Sequence, residues 1–202
     1  VYKRQIIDDA IDDVESSFKF KETKSSEEAI DIWNSISFAN ETHPYLEKNQ
    51  IKSFGCKQLK DKLVLPLRDT NTKLWNLLFI DENGNEKFLE NGKKRCCYFA
   101  IGKPQNEKII ICTNFITGAK IHEKTGEAVA IAFDQENLEP VKDALLSKHP
   151  NYEINIVADD DIKENASSAG TNEALDIPEQ YNIEDCISTV SYTHLRAHET
   201  LR

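Results

Sequence analysis

Three consecutive aspartates, Asp159, Asp160 and Asp161, are the residues of this chain whose types and spacing most clearly indicate chemistry. They come directly after an apolar run at residues 152–158, a pattern typical of a strand that ends in acidic residues. In an extended backbone Asp159 and Asp161 point to one side and Asp160 to the other. Two carboxylates on one side form a ligand pair that suits Mg²⁺, which prefers hard oxygen ligands and bridges substrate phosphates.

The spacing of the triplet alone is also compatible with other interpretations. A polar loop that caps the next helix would use the same residues. A phosphate-accepting pocket like that of response regulators would need acidic residues after an early strand and a lysine after a late one, and the sequence has neither. The Mg²⁺ site and the capping loop therefore both stay open at this point.

Alternating strand and helix patterns would position the triplet. Apolar runs at residues 108–115, 127–133 and 152–158 are separated by two helical patterns, the first of which ends at Gly126. This order predicts an α/β fold with a parallel sheet and right-handed crossovers. Ligands of such sheets bind at the carboxyl ends of the strands, where both Thr113-Asn114 and the triplet are expected.

A small α+β segment with a hairpin is predicted before this core. Asn83-Gly84 is a strong turn signal between two strand patterns, and Pro66 favours an edge position in the strand before them. Before residue 104 the remaining predicted elements are a helix at residues 5–15, a charged linker at 18–24, a helix that starts at Ser25-Ser26-Glu27-Glu28, a short turn or helix that opens at 43–46, a strand at 93–102 and a hinge at 102–104. After the acidic triplet, a last helix is expected to start at residues 171–175.

Composition limits the classes of function. The chain has 202 residues, 39% of them hydrophobic, and a net charge of −10, so it is not a general coat for nucleic acid and would need a local basic patch to contact phosphates. Its five cysteines lack CxxC spacing, which argues against a zinc ribbon and favours a reducing, cytoplasmic setting. There is no signal peptide or membrane-spanning run, so no membrane partner is expected. The chain begins at Val1 and contains no methionine, so we expect a fragment of a longer protein.

Several stretches, taken together and in order, resemble the TOPRIM-containing primases of phages and conjugative plasmids. The resemblance extends from about Ala29 to Leu175. The stretches that carry it are HPYLEKNQI, LVLPLRD, LWNLLFIDENGNEKFLENGKKRCCYFAIG, FITGAKIHEKTG, VAIAFDQENLEPV and VADDD.

The resemblance implies a TOPRIM-type parallel-sheet core at residues 104–189, preceded by the α+β segment at residues 1–103. It implies a nucleotidyltransferase that synthesises short RNA primers on single-stranded DNA from nucleoside triphosphates, with a replicative helicase as a candidate partner. Asp159 and Asp161 would be catalytic and would bind Mg²⁺ or Mn²⁺. The metal would orient the triphosphate and neutralise charge as a 3′-hydroxyl attacks the α-phosphate.

The chain departs from this family at the turn after the first core strand. The family reads Glu-Gly-Phe-Ala-Thr-Gly there, whereas this chain reads Thr113-Asn114-Phe115-Ile116-Thr117-Gly118. At neutral pH threonine serves poorly both as a metal ligand and as a general base, the two roles that the glutamate could have. Losing such a group typically costs roughly 10²–10⁴-fold in rate. Glu123 would reach the site only if its helix tilted inward. A catalytically silenced TOPRIM module that binds nucleic acid or a replication protein is therefore the alternative function, and Thr113-Asn114 would then simply cap the helix. A TOPRIM nuclease is a third and weaker alternative, because the flanking stretches resemble the primases.

Four basic residues are candidates for contact with the template strand: Arg68, Lys93, Lys94 and Arg95. Ordinary solvated charge beside strands is the alternative explanation for them. Trp33 and Trp75 offer rings on which bases could stack, although core packing is the more common role of tryptophan. Residues 190–202 match no earlier pattern and resemble translated sequencing-adaptor read-through, so we expect a non-native tail there.

Overall fold

A computed structural model describes residues 2–157 of the chain, with side chains from residue 14 onward. The expectations for Asp159 and Asp161, for a last helix at residues 171–175 and for the tail at residues 190–202 lie outside these residues. The described helices are α1 (Tyr2–Ser35), α2 (Pro44–Asn49), α3 (Phe115–Thr125) and α4 (Leu138–Lys148). The described strands are β1 (Ser37–Phe38), β2 (Lys57–Leu59), β3 (Lys62–Arg68), β4 (Leu74–Ile80), β5 (Glu86–Phe88), β6 (Phe99–Ile101), β7 (Lys108–Cys112), β8 (Ala128–Ile131) and β9 (Glu153–Val157).

Helix α1 is one continuous helix of 34 residues. The predicted linker at residues 18–24 is wrong, because this segment is helical and contains no glycine or proline, while its lysine and glutamate residues favour helix. Ser25 and Ser26 do not start a helix either. Both serines lie well inside the range of α1 and are buried. The Ser25 hydroxyl donates to the Glu90 carbonyl oxygen (2.9 Å), and the Ser26 hydroxyl donates to the Leu74 carbonyl oxygen (2.6 Å). The serines therefore attach α1 to the sheet.

The first sheet is antiparallel, with five strands in the order β1-β2-β3-β4-β5. The predicted hairpin is confirmed as β4 and β5, with Gly84 at a φ of 90° in its turn. Strand β3 is an interior strand, unlike the predicted edge strand. However, the β2 ladder ends at Val64, so Pro66 is paired only with Leu77 of β4. The missing N–H of Pro66 is thus tolerated on the side that β2 does not cover.

The second sheet has four strands in the order β6-β8-β7-β9. Strands β8 and β9 both run parallel to β7, which confirms the predicted parallel core. Strand β6 pairs antiparallel with β8, so its expected place in the N-terminal segment is wrong. Phe99 and Ile101 of β6 are buried in the core between the sheets, and this burial explains the pairing. The position of the boundary between the two units, near residue 103, stays a prediction.

Three clusters of apolar side chains hold the layers together. One lies between the facing sides of the two sheets and includes Phe115 and Ala119 of α3. A second joins α4 to the opposite face of the second sheet, and a third joins α1 to the outer face of the first sheet. Strand β7 is covered on both faces, which explains why its sequence is a continuous apolar run rather than an alternating one. Gly118 allows α3 to approach β8, because a Cβ there would lie 2.9 Å from Ile131 Cδ1. None of the helices in residues 2–157 has both the length and the apolar character needed to cross a membrane.

Candidate functional site

Strands β7, β8 and β9 end together at one edge of the second sheet. The register pairs Cys112, the last residue of β7, with both Val157 of β9 and Ile131 of β8. The ladder continues one step further, since the Ala132 N–H donates to the Cys112 carbonyl oxygen at 2.8 Å. The acidic triplet follows β9 in the sequence. Thr113, the residue after β7, therefore lies at the edge of the sheet where β9 also ends. We call this the carboxyl edge.

Thr113 and Asn114 form the transition from β7 to α3. Thr113 is buried, with 8% of its surface exposed. The Asn114 Oδ1 atom accepts hydrogen bonds from the backbone N–H groups of Ile116 (2.8 Å) and Thr117 (3.3 Å), so the predicted cap is confirmed. The φ of Asn114 is −113°, which is ordinary extended backbone. This position therefore does not require the left-handed conformation that asparagine tolerates better than most residues. Two hydrogen bonds already occupy the amide oxygen of Asn114, which makes this residue a helix cap rather than a ready metal ligand.

No group of three His, Cys, Asp or Glu side chains in the described part of the chain is placed to hold a metal ion. A metal site with three such ligands at the carboxyl edge would therefore need side chains outside residues 2–157. The sequence predicts Asp159 and Asp161, which follow β9 by two and four residues, as carboxylates for such a site.

Asn137 attaches a basic loop to the carboxyl edge. We define the basic loop as residues 93–97, which contain Lys93, Lys94 and Arg95. The Asn137 Nδ2 atom donates to the carbonyl oxygens of Lys94 (3.1 Å), Cys97 (2.9 Å) and Ala132 (3.0 Å), and its Oδ1 atom accepts from the Cys96 N–H (2.8 Å). These contacts hold Cys96 at a φ of 60°, a left-handed conformation that non-glycine residues rarely adopt. No local signal in the sequence shows that three of the four partners of Asn137 lie 40 to 43 residues earlier in the chain.

The four basic candidates have different surroundings. The Arg68 Nη1 atom donates to the Thr72 carbonyl oxygen at 2.9 Å, and its Cζ atom lies 5.9 Å from the ring centre of Trp33. Burial lowers the pKa of Arg68, although a guanidinium remains charged in proteins. The Lys93 ammonium lies 4.8 Å from the ring centre of Trp75.

The remaining two candidates are exposed. The Lys94 ammonium lies 4.7 Å from the ring centre of Phe88, and Phe88 in turn meets Phe133, just after β8, edge to face. Arg95 is exposed on the same loop. Lys93, Lys94 and Arg95 thus share the loop that Asn137 holds, whereas Arg68 packs beside Trp33 of α1.

Glu123 faces away from the carboxyl edge. Its Oε1 atom accepts a hydrogen bond from the Lys52 N–H at 3.2 Å. It lies eight residues beyond the start of α3, or about 12 Å along the axis. Together with Glu41 and Glu47 it lines a separate cleft of roughly 630 Å³. This position does not favour the idea that Glu123 replaces the missing glutamate.

Comparison with known proteins points to primases. Two Escherichia coli proteins, both described as DNA primase TraC, are similar to the chain: one is 33% identical over 125 residues and the other 29% identical over 128 residues. The matched part of this chain is homologous to the matched segment of TraC. The matches include 58% and 60% of this chain but only 9% and 12% of the relatives, so the chain spans about a tenth of their length. No family model matches the chain.

A structural comparison finds a distant neighbour. It is a structure of the bacteriophage T7 lagging-strand DNA polymerase interacting with primase domains of two gp4 subunits bound to an RNA/DNA hybrid and dTTP. The alignment has 12% identity, covers 70% of this chain and 75% of that one, and gives a TM-score of 0.34. A TM-score of this size does not establish a shared fold.

Proposed function

We propose that this chain is the nucleotide-joining part of a primase-type replication protein, of the kind found on phages and conjugative plasmids. It would bind single-stranded DNA and nucleoside triphosphates and synthesise short RNA primers. The observation that carries this proposal is the 33% identity to DNA primase TraC over 125 residues. The register that ends β7 and β9 at one edge supports it, because it gives a TOPRIM-type core a place for its site.

The acidic triplet would supply the metal ligands. Asp159 follows Val157, the last residue of β9, by two residues in the sequence. Asp159 and Asp161 would hold Mg²⁺ or Mn²⁺ and act as the catalytic pair. When bound, the metal would orient the triphosphate and neutralise its charge.

The described residues would bind and orient the substrates. The basic loop carries three cations that Asn137 holds beside the end of β8, where they would attract the phosphates of a triphosphate or of the template. The chain is acidic overall, with a net charge of −10, so a fixed local group of cations is needed for this contact. Arg68 would extend the contact towards α1.

A silenced module is the second candidate function, and Thr113 is the observation that favours it. A buried hydroxyl side chain stands at the end of β7, where the resembling primases have a glutamate, and the neighbouring Asn114 oxygen serves as a helix cap. The chain would then bind nucleic acid or a replication protein, with a replicative helicase as the candidate partner, without joining nucleotides.

Primer synthesis on single-stranded DNA tests both candidates. The chain as given is compared with Thr113→Glu, each with ribonucleotides and with Mg²⁺ or Mn²⁺, and with Asp159→Asn and Asp161→Asn as controls. Activity of the given chain that both aspartate variants lose would support the enzyme and reject the silenced module. Activity that appears only after Thr113→Glu would support the silenced module. Mn²⁺ titration provides an independent check, because metal binding that Asp159→Asn leaves unchanged would contradict the proposed ligand pair.

A further inference from the structure

The ring of Trp75 is locked in place from one edge. Its Nε1–H donates to Asp69 Oδ2 at 2.8 Å, and the other carboxylate oxygen of Asp69 accepts from the backbone N–H groups of Asn71 (2.8 Å) and Lys73 (3.0 Å). One carboxylate therefore fixes both the ring and the loop before β4. Trp75 packs against the core between the sheets yet stays partly exposed, so part of an ordered side chain is accessible to solvent.

Two ammonium groups lie over this ring. The Lys73 Nζ atom is 3.7 Å and the Lys93 Nζ atom 4.8 Å from the ring centre. Among the described residues, neither ammonium group has a hydrogen-bond acceptor or a carboxylate within ion-pair distance. Two like charges are thus held beside one ring by cation–π attraction, and both can pair with an incoming anion.

Trp33, the other tryptophan of the chain, is surrounded by a cation–π cluster that has a structural role. The Lys57 ammonium lies 4.7 Å from its ring centre, but it also donates to the Trp33 carbonyl oxygen at 2.7 Å. Arg68 is likewise anchored on a backbone carbonyl oxygen. Trp33 packs between α1 and the first sheet. The cations of Trp33 have backbone partners, whereas those of Trp75 have none within the part of the chain that the structure describes. Core packing therefore accounts for Trp33 but leaves the cations of Trp75 unexplained.

The surroundings of Trp75 lead to the carboxyl edge. Lys93 begins the basic loop, which Asn137 joins to the end of β8. The loop before β4 is attached to α4 on its other side, because the Lys148 ammonium donates to the Thr70 carbonyl oxygen. The locked ring therefore contacts the basic loop through Lys93, and the basic loop is joined to the end of β8.

We propose that Lys73, Trp75 and Lys93 form a contact site for single-stranded nucleic acid, in which a base stacks on Trp75 and the two lysines bind the flanking phosphates. A base stacks on an aromatic ring more strongly than an exposed ammonium group does, so an arriving base displaces one lysine from the ring face and that lysine moves to a phosphate. The sequence of the strand matters little, since every base has a stacking face. This site rests on the proposed function, for which it supplies the template contact, but binding is measured without catalysis.

Intrinsic fluorescence tests the site directly, because the chain has two tryptophans. In Trp33→Phe, Trp75 is the sole reporter, and in Trp75→Phe, Trp33 is. Each protein is titrated with oligo(dT) at low salt. We expect strong quenching in Trp33→Phe and little in Trp75→Phe, with affinity lowered on the order of tenfold in Trp75→Leu. Circular dichroism checks that each variant is folded.

The role of Lys73 and Lys93 is tested by removing their charges. Lys73→Gln/Lys93→Gln should weaken oligo(dT) binding and reduce the slope of log affinity against log salt by about 1.4, the value for two phosphate contacts on a single strand. Lys48→Gln/Lys124→Gln removes the same charge from exposed positions next to the cleft residues Glu47 and Glu123 and should leave the slope unchanged.

Some outcomes would overturn the proposal. These are a silent Trp75 at saturating oligo(dT), an unchanged salt slope in the lysine variant, or polyphosphate that binds as tightly as oligo(dT) of equal charge. Failure of primer synthesis with Trp75 quenching intact would instead reject the proposed enzyme and leave this site standing.

Discussion

The carbonyl oxygen of Cys97 lies 2.9 Å from the amide nitrogen of Asn137, although 40 residues separate them in the chain. This hydrogen bond joins the loop before β6 to the segment between β8 and α4. The same nitrogen also binds the Ala132 carbonyl oxygen at the end of β8. One buried amide thereby fixes the position of a cationic loop relative to the carboxyl edge of the second sheet.

Asn137→Ala should lower the free energy of unfolding by about 2–4 kcal/mol, because it leaves several buried backbone groups without partners. Urea denaturation measures the change. Asn137→Asp should be at least as harmful, since a carboxylate would face three carbonyl oxygens. Asn34→Ala, at an exposed position near the end of α1, is the matched control and should stay within roughly 0.5 kcal/mol of the parent. A small effect of Asn137→Ala would mean that the loop is held by other contacts.

Gly92 lies directly against the buried side chain of Asn76. A Cβ at Gly92 would be 2.4 Å from Asn76 Cγ, and Asn76 has no exposed surface. Gly92→Ala should therefore destabilise the fold by about 1–3 kcal/mol through overpacking.

A double-mutant cycle separates this contact from backbone effects. In an Asn76→Ala background the added methyl group of Gly92→Ala finds space, so its cost should fall clearly below the cost in the parent chain. Equal costs in the two backgrounds would show that the contact with Asn76 is not the cause.

The parts of the fold that local patterns specify were predicted correctly. Strands β7, β8 and β9 were recognised because sheets covered on both faces need continuous apolar runs, and the hairpin was recognised by Asn83-Gly84. The break in α1 was predicted wrongly, because charged residues at 18–24 resemble a linker when no partner for the helix is known. The partner of β6 was also missed, since pairing with β8 depends on burial in a shared core.

The candidate site shows the same division. Thr113 and Asn114 were expected at the carboxyl ends of the strands and are found there, because the strand order alone determines that position. The roles of Asn137 and Asp69 were not foreseen. Their hydrogen-bond partners are set by how loops meet in space, and a sequence pattern carries no information on such distant contacts.

Cysteine reactivity should follow burial. Burial raises the pKa of the Cys97 thiol to about 12, an effect that the nearby Lys93 ammonium partly offsets, and burial also raises the pKa of Cys56. Because the thiolate is the reactive form, both residues should resist iodoacetamide at pH 8. Cys96 is partly exposed and should be modified first among the four cysteines at positions 56, 96, 97 and 112.

Mass spectrometry after timed labelling gives the order of modification. Labelling in urea is the control and should modify all four residues at similar rates. Modification of Cys97 in the native protein as fast as Cys96 would show that the basic loop opens readily, which would contradict the role given to Asn137.

Asp81 should make the hairpin turn sensitive to acid. Its Oδ2 atom accepts from Asn85 Nδ2 (2.8 Å), and its Oδ1 atom accepts from the backbone N–H groups of Asn85 and Asn83 (2.9 Å each). These bonds, led by the Asn85 side chain, hold the pKa of Asp81 below its ordinary value. A lowered pKa means that folding favours the carboxylate. The resulting stability is therefore complete above the unfolded pKa of about 4 and is lost as the pH falls through the folded pKa.

Comparing the parent chain with Asp81→Asn isolates this contribution, because asparagine does not titrate. The difference between their urea midpoints should be constant above about pH 5 and shrink as the pH falls below about 4. Asn85→Ala removes the leading donor, so in that background the difference should depend less on pH. A difference that stayed constant down to pH 2, or grew in acid, would show that the turn does not stabilise the carboxylate and that Asp81 serves the hairpin through its backbone alone.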